Sequence, residues 1–151
     1  MMTSAVRAEI VAEKISYTRN MVEAIRSLPQ SGYDDFSADV RNAAAAESYL
    51  RRALEALFDL GRHILAKAFA EAPAEYKQIA EGLAKNGVLS REEGRILTEM
   101  AGYRNRMVHF YHEIGERELY NICRDRLIDI QGLIDTFAQW LREHPEKVTR
   151  P

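Results

Sequence analysis

The chain has 151 residues, 46% of them hydrophobic and 29% charged, with eight Gly, four Pro and a single Cys. That length suits one core and is too short for two substantial ones, and the composition excludes disordered, fibrous and disulfide-rich secreted classes. A formal net charge of −2 excludes a general polyanion-binding surface, so any contact with nucleic acid must be local.

From Ser4 to Leu28, the residues Val6, Ile10, Tyr17, Met21, Ile25 and Leu28 recur at spacings of three, four or seven among Arg and Glu, which predicts an amphipathic helix ended by Pro29. Gln30 to Asp39, with Ser31-Gly32 and Asp34-Asp35, carries polar turn chemistry and predicts a loop. A long helix follows from about Ala38 to Ala70. Its stripe is Ala46, Leu50, Ala53, Leu57, Leu60 and Ile64, with Arg51, Arg52, Glu55 and Asp59 facing away, and the run Ala43 to Ala46 lets a neighbour approach closely. Ala72-Pro73-Ala74 breaks the pattern. Tyr76 to Lys85 reads as a short helix, and Asn86-Gly87 supplies the left-handed residue that such helices end on.

Ser90-Arg91-Glu92-Glu93 matches a capping box, in which Ser90 and Glu93 satisfy each other's free backbone amides at a helix start. The helix it opens turns Ile96, Leu97, Met100, Tyr103, Met107 and Val108 inward and fades between Phe110 and Gly115. A last helix, about Glu116 to Leu141, buries Leu119, Ile122, Cys123, Leu127, Ile130, Ile134, Phe137 and Leu141 before His144-Pro145 closes it. No stretch alternates with period two, so a sheet is not expected. The expected fold is all-α: an up-and-down four-helix bundle with a short accessory helix over residues 1–145, and a short C-terminal tail at 146–151. No run is long and apolar enough to span a membrane and the N-terminus does not resemble a secretion signal, which makes the cytoplasm the expected location. Cys123 is expected to be a small buried hydrophobe with no redox role.

Polar chemistry concentrates in one stretch, Ala101 to Glu113, which holds Arg104, Asn105, Arg106, His109, Tyr111 and His112. On an ideal helix Arg104 and His109 lie about 140° apart, whereas Asn105 and His109 differ by only about 40° and share a face. Three geometries would let Arg104 and His109 converge: a helix break near His109, a bent arginine, or a partner group from a second chain. Histidine exchanges protons near neutral pH, and arginine offers a fixed fork to phosphate. RNA brings its own nucleophile, the 2′-hydroxyl. A histidine that helps deprotonate it and an arginine on the non-bridging oxygens suffice for transesterification without a metal. The bland alternative makes Arg104 a solvated cation complementing the helix dipole and His109 a helix cap.

The block Tyr103-Arg104-Asn105-Arg106-Met107-Val108-His109-Phe110-Tyr111, preceded by Tyr76-Lys77-Gln78, the Leu83 helix and Gly87-Val88-Leu89, resembles the HepT-like ribonuclease toxins of the HEPN superfamily. Their signature is R-N-x-x-V-H-x-Y inside an R-x(4-6)-H motif, and the likeness runs from about Val6 to Leu141. The resemblance implies a HEPN-like fold that dimerises, with Arg104 and His109 as a catalytic pair in a cleft between protomers. It implies a supporting role for Asn105 and no cofactor or metal. It further implies a toxin of a type VII-like toxin–antitoxin pair, silenced when a cognate minimal nucleotidyltransferase antitoxin transfers AMP to Tyr111. Charge and bulk two residues from His109 would then stand where an RNA phosphate must bind. The rival is a non-catalytic HEPN-like module that binds nucleotide or holds a nucleotidyltransferase partner.

Other residues read more plainly. His109, His112 and Glu113 form a crude metal trio without a supporting carboxylate or cysteine cluster. His63 is expected at a helix surface or in packing, and His144 at a frayed end. Arg91, Arg95 and Arg106 alternate with Glu92, Glu93 and Glu99, the pattern of a solvated face. Trp140, Phe137 and Tyr103 are expected to pack inward.

Overall fold

A computed structural model describes residues 5–109 and 114–149 of the chain. Its elements are β1 (Val6–Arg7), α1 (Ala8–Arg26), α2 (Tyr33–Ser37), α3 (Val40–Phe69), α4 (Tyr76–Lys85), α5 (Arg91–Val108), α6 (Glu116–Asp125), α7 (Leu127–Glu143), a 3-10 turn at Pro145–Lys147 and β2 (Val148–Thr149). This is the all-α bundle that the periodicity predicts, organised around the 30-residue α3, which packs against α1, α2, α4, α5 and α6. Leu50, Leu54, Leu57, Ile64 and Leu65 of α3 are fully buried, and each such side chain contributes about 1.5–3 kcal/mol. No described helix is long and apolar enough to cross a membrane.

The predicted boundaries hold where local chemistry sets them. Ser90 Oγ accepts from the Glu93 N–H at 3.1 Å and Glu93 Oε1 accepts from the Ser90 N–H at 2.9 Å, which is the expected capping box at the start of α5. Gly87 takes φ +77° after α4, so the Val88 and Leu89 amides turn back to the Leu83 carbonyl. Two glycines then let α4 sit close to its neighbours. A Cβ on Gly61 of α3 would lie 2.9 Å from Leu83 Cδ1, and one on Gly94 of α5 would lie 2.8 Å from the Ala84 Cβ.

Several features depart from the sequence reading, most of them where a contact remote in sequence overrides a local pattern, and Val108, expected to face inward, is instead 42% exposed at the end of α5. The expected loop at 30–39 contains α2, since Phe36 is buried and meets the Tyr120 ring at 5.2 Å, while Tyr33 Oη donates to Glu116 at 2.7 Å. The expected last helix divides into α6 and α7 at Arg126, whose guanidinium reaches Asp129, Glu99 at 2.9 Å and Tyr103 Oη at 3.1 Å. A two-residue parallel pairing, Val6 with Val148 and Arg7 with Thr149, ties β1 to β2 where no strand was expected. His144 is not frayed: its ring stacks on Trp140 at 4.4 Å and Nδ1 lies 2.7 Å from the Trp140 carbonyl. Trp140 and Phe137 are buried as expected, and burial pushes the Cys123 thiol up to about 12.

Candidate active site

The C-terminal end of α5 faces the N-terminal end of α4 across a cleft of about 580 Å³, lined by Arg62, Tyr76, Lys77, Arg104, Asn105 and His109 together with Ala74 and Glu75. Three of the predicted site residues therefore meet in one place. The helix stops at Val108, and His109 adopts an extended backbone (φ −96°, ψ 117°) with its amide still donating to the Asn105 carbonyl at 3.0 Å. Leaving the helix there takes His109 off the helical wheel. A helix end at His109, one of the three geometries expected to reconcile Arg104 with His109, is present in this chain. Tyr111, expected as the modification site, and His112 and Glu113 of the metal trio lie outside the described residues.

Arg104 is held from two sides. Its Nη2 donates to Glu55 Oε2 at 3.2 Å, and its guanidinium carbon stands 4.7 Å from the centre of the Tyr76 ring. The Tyr76 ring is itself stacked on Phe58, with centroids 4.6 Å apart and planes 6° from parallel, so the platform under Arg104 rests on the core. Glu55 shares its other oxygen with Arg51 at 2.9 Å. Nη1 lies 3.5 Å from Asn105 Oδ1, at the outer limit of a hydrogen bond, and Nε is buried without a partner among the described residues. The guanidinium is thus fixed in place with donor capacity to spare.

The remaining predicted cations behave as a solvated face. Arg95 pairs with Glu92 and Glu99, and Arg106 makes two 2.7 Å bonds to Glu118. Tyr103 is half-buried against the core and accepts from Arg126. His63 accepts the Arg7 N–H on Nε2 at 3.0 Å, and burial together with Lys67 and Arg7 holds its pKa below the usual histidine value. Glu55, Arg62, Tyr76 and Lys77 surround the site without having been singled out for it. They come from α3 and α4, remote in sequence from the block on α5. The one local signal was Tyr76-Lys77 opening a short helix just after Pro73.

A family profile described as "Ribonuclease HepT-like" matches residues 18–137, most of the chain. The chain belongs to the ribonuclease HepT-like family. Over 127 residues it is 24% identical to a protein named mRNA nuclease HepT from Shewanella oneidensis, covering 84% of this chain and 95% of the relative. Among solved structures, a tri-AMPylated Shewanella oneidensis HEPN toxin in complex with MNT antitoxin aligns with a TM-score of 0.79 at 24% identity, over 86% of this chain and 97% of that one. A Bacillus subtilis cytosolic protein of unknown function, YutE, aligns with a TM-score of 0.80 at 17% identity over 98% of this chain and 99% of its own. At these identities the structural matches establish the HEPN fold, and the family membership makes the chain a ribonuclease.

Proposed function

We propose that this HepT-like ribonuclease cuts RNA at the α4–α5 cleft through Arg104 and His109, as the toxin of a toxin–antitoxin pair in the cytoplasm. The observation that carries the reading is that Arg104, Asn105 and His109 line one cleft at the point where α5 ends. His109 takes the proton of the RNA 2′-hydroxyl, the 2′-oxygen bonds to the adjacent phosphorus, and the bond from phosphorus to the 5′-oxygen breaks. The products are a 2′,3′-cyclic phosphate and a 5′-hydroxyl end. Arg104 neutralises the charge that grows on the non-bridging oxygens. Its restraint by Glu55 and Tyr76 means that little reorganisation accompanies the reaction. Asn105 orients substrate or a neighbour. The residues suffice for this step without a metal because the substrate supplies the nucleophile.

The chain acts as a homodimer, in which a second copy of His109 protonates the leaving 5′-oxygen. A minimal nucleotidyltransferase antitoxin neutralises it by moving AMP from ATP to the Tyr111 hydroxyl, releasing pyrophosphate. The added phosphate then occupies the electrostatic place of the RNA phosphate. The named relatives support this partner: one is an mRNA nuclease, and another is a tri-AMPylated toxin bound to its antitoxin.

Purified protein incubated with RNA in chelator tests the reading. Cleavage is expected, with loss in Arg104→Ala and His109→Ala. Intact RNA in the presence of the folded protein would leave the binding-module alternative in its place. An AMP mass on Tyr111 after mixing with the antitoxin and ATP tests the regulatory half, and modification confined to another residue would refute it.

A further inference from the structure

The lining of the cleft beyond Arg104, Asn105 and His109 has chemistry that the cleavage step does not use. Arg62 of α3 and Lys77 of α4 both line it. Arg62 is 41% exposed and only loosely held, 3.8 Å from Asp59, and Lys77 is exposed and enters no ion pair among the described residues. Arg95, Arg106, Arg124 and Arg126 by contrast each face a carboxylate at 2.9 Å or closer. The lining of the cleft therefore holds three cations and one carboxylate, Glu75; Arg104 is also met by Glu55 at 3.2 Å and Arg62 by Asp59 at 3.8 Å, which leaves Lys77 without an ion pair among the described residues.

Tyr76 sets an upper limit on how far apart Arg62 and Arg104 stand. The guanidinium carbons of Arg62 and Arg104 lie 5.7 and 4.7 Å from the centre of its ring, so they are no further apart than those two lengths laid end to end. Neighbouring phosphates of one nucleic-acid strand bridge such a gap. Tyr76 is not a base-stacking platform, because Phe58 stacks against it and Arg104 lies over it. The lining consequently offers charge without a surface for reading bases. At about 580 Å³ the cleft also exceeds what one phosphate fills.

Resting on the ribonuclease reading of the site, we propose that Arg62 and Lys77 form a second phosphate subsite that takes the phosphate next to the scissile one on a single RNA strand. This subsite fixes the strand's register against Arg104 and His109 while remaining indifferent to base identity. Its ligand is a phosphodiester with at least one phosphate beyond the bond to be cut. Arg62 and Lys77 are positioning residues, and they contribute to substrate binding rather than to the proton transfer.

The probe is a fully 2′-O-methylated oligoribonucleotide of five residues, which lacks the nucleophile and stays intact, compared with a 2′-O-methylated dinucleoside monophosphate carrying one phosphate. Dissociation constants are measured across a salt series for the unaltered chain, Arg62→Gln, Lys77→Gln and the double variant. Loss of one phosphate contact on a single strand should lower the slope of log affinity against log salt by about 0.7 in the double variant, and each single variant should show part of that loss. Affinity for the single-phosphate probe should not change, and Arg62→Lys should restore the slope. Unchanged slopes on the longer probe, or an equal loss on both probes in variants with native circular dichroism, would overturn the subsite. The cleavage assay is separate: a reduced slope with no RNA cleavage by the unaltered chain would retain the subsite and sink the ribonuclease mechanism, whereas cleavage with unchanged slopes would do the reverse.

Discussion

Two faces of α5 carry arginines only two residues apart and treat them in opposite ways. Arg106 spends its fork completely, with Nη1 and Nη2 each 2.7 Å from a different oxygen of Glu118. That bond raises the arginine pKa and lowers the carboxyl pKa. Arg104 has one 3.2 Å contact to a carboxylate that Arg51 also holds, an aromatic face beneath it, and a buried Nε with no partner among the described residues. Exposure does not separate the two as a surface-charge argument would suggest, since Arg106 is 40% exposed and Arg104 only 23%. What distinguishes a candidate site here is a cation anchored firmly but bonded incompletely. A phosphate can complete Arg104, whereas it would have to displace Glu118 to reach Arg106.

The most direct way to break that contrast is through rate. Arg104→Ala should lower the rate of RNA cleavage by about 10²–10³-fold, the size of effect seen when a donor to developing charge is removed. Arg106→Ala should leave the rate close to that of the unaltered chain. An equal fall in both, measured on protein with unchanged circular dichroism, would mean that the two faces act alike and that bond saturation is the wrong criterion.

The next effect is on the geometry that presents the cleft. Gly94 faces α4 near the start of α5, where an added Cβ would come 2.8 Å from that of Ala84. Gly94→Val should therefore force α4 outward and cost about 1–3 kcal/mol of stability in denaturant unfolding. Because α4 carries Tyr76 and Lys77, activity should fall by more than the loss of folded protein explains. Gly102 has nothing within 4 Å of its missing Cβ, so Gly102→Ala should be neutral or stabilise by up to about 1 kcal/mol. Equal destabilisation at both positions would show that the close approach of α4 at Gly94 does not set the cost.

Much of this was legible in the sequence because it is local. The capping box at Ser90 and Glu93, the left-handed Gly87 and the apolar stripe of α3 depend on residues a few positions apart. The Arg104, Asn105 and His109 cluster was legible for the same reason, as was the geometric difficulty of joining Arg104 and His109 along one straight helix. Contacts across the fold were not legible. Phe36 is helical because Tyr120 receives it, and the break at Arg126 is anchored by Glu99 and Tyr103 on another helix. Glu55, Arg62 and Tyr76 join the site only through the way α3 and α4 meet α5. Periodicity assigned Glu55 to an outward face, without revealing that this face looks onto Arg104.

The smallest effect should come from the saturated face, and its sign follows from Glu118. Its carboxyl pKa lies below the usual glutamate value chiefly because it accepts hydrogen bonds from Arg106. A carboxyl depressed in the folded state contributes stability that is fully present above its unfolded pKa and is lost as pH falls through the folded one. The pair should thus add stability at neutral pH and lose it on acidification below the ordinary glutamate range. With the two side chains 41% and 40% exposed, solvent screening keeps the contribution below about 1 kcal/mol and makes it fall with salt. Glu118→Gln should flatten that part of the acid limb in thermal unfolding at low salt while leaving RNA cleavage unchanged. Loss of cleavage without loss of stability would place Arg106 and Glu118 in the site and remove the distinction between the faces of α5. A flattened acid limb with full activity would confine the work of the saturated face to holding α6 on the bundle, and leave phosphate recognition to the arginine that is only partly bonded.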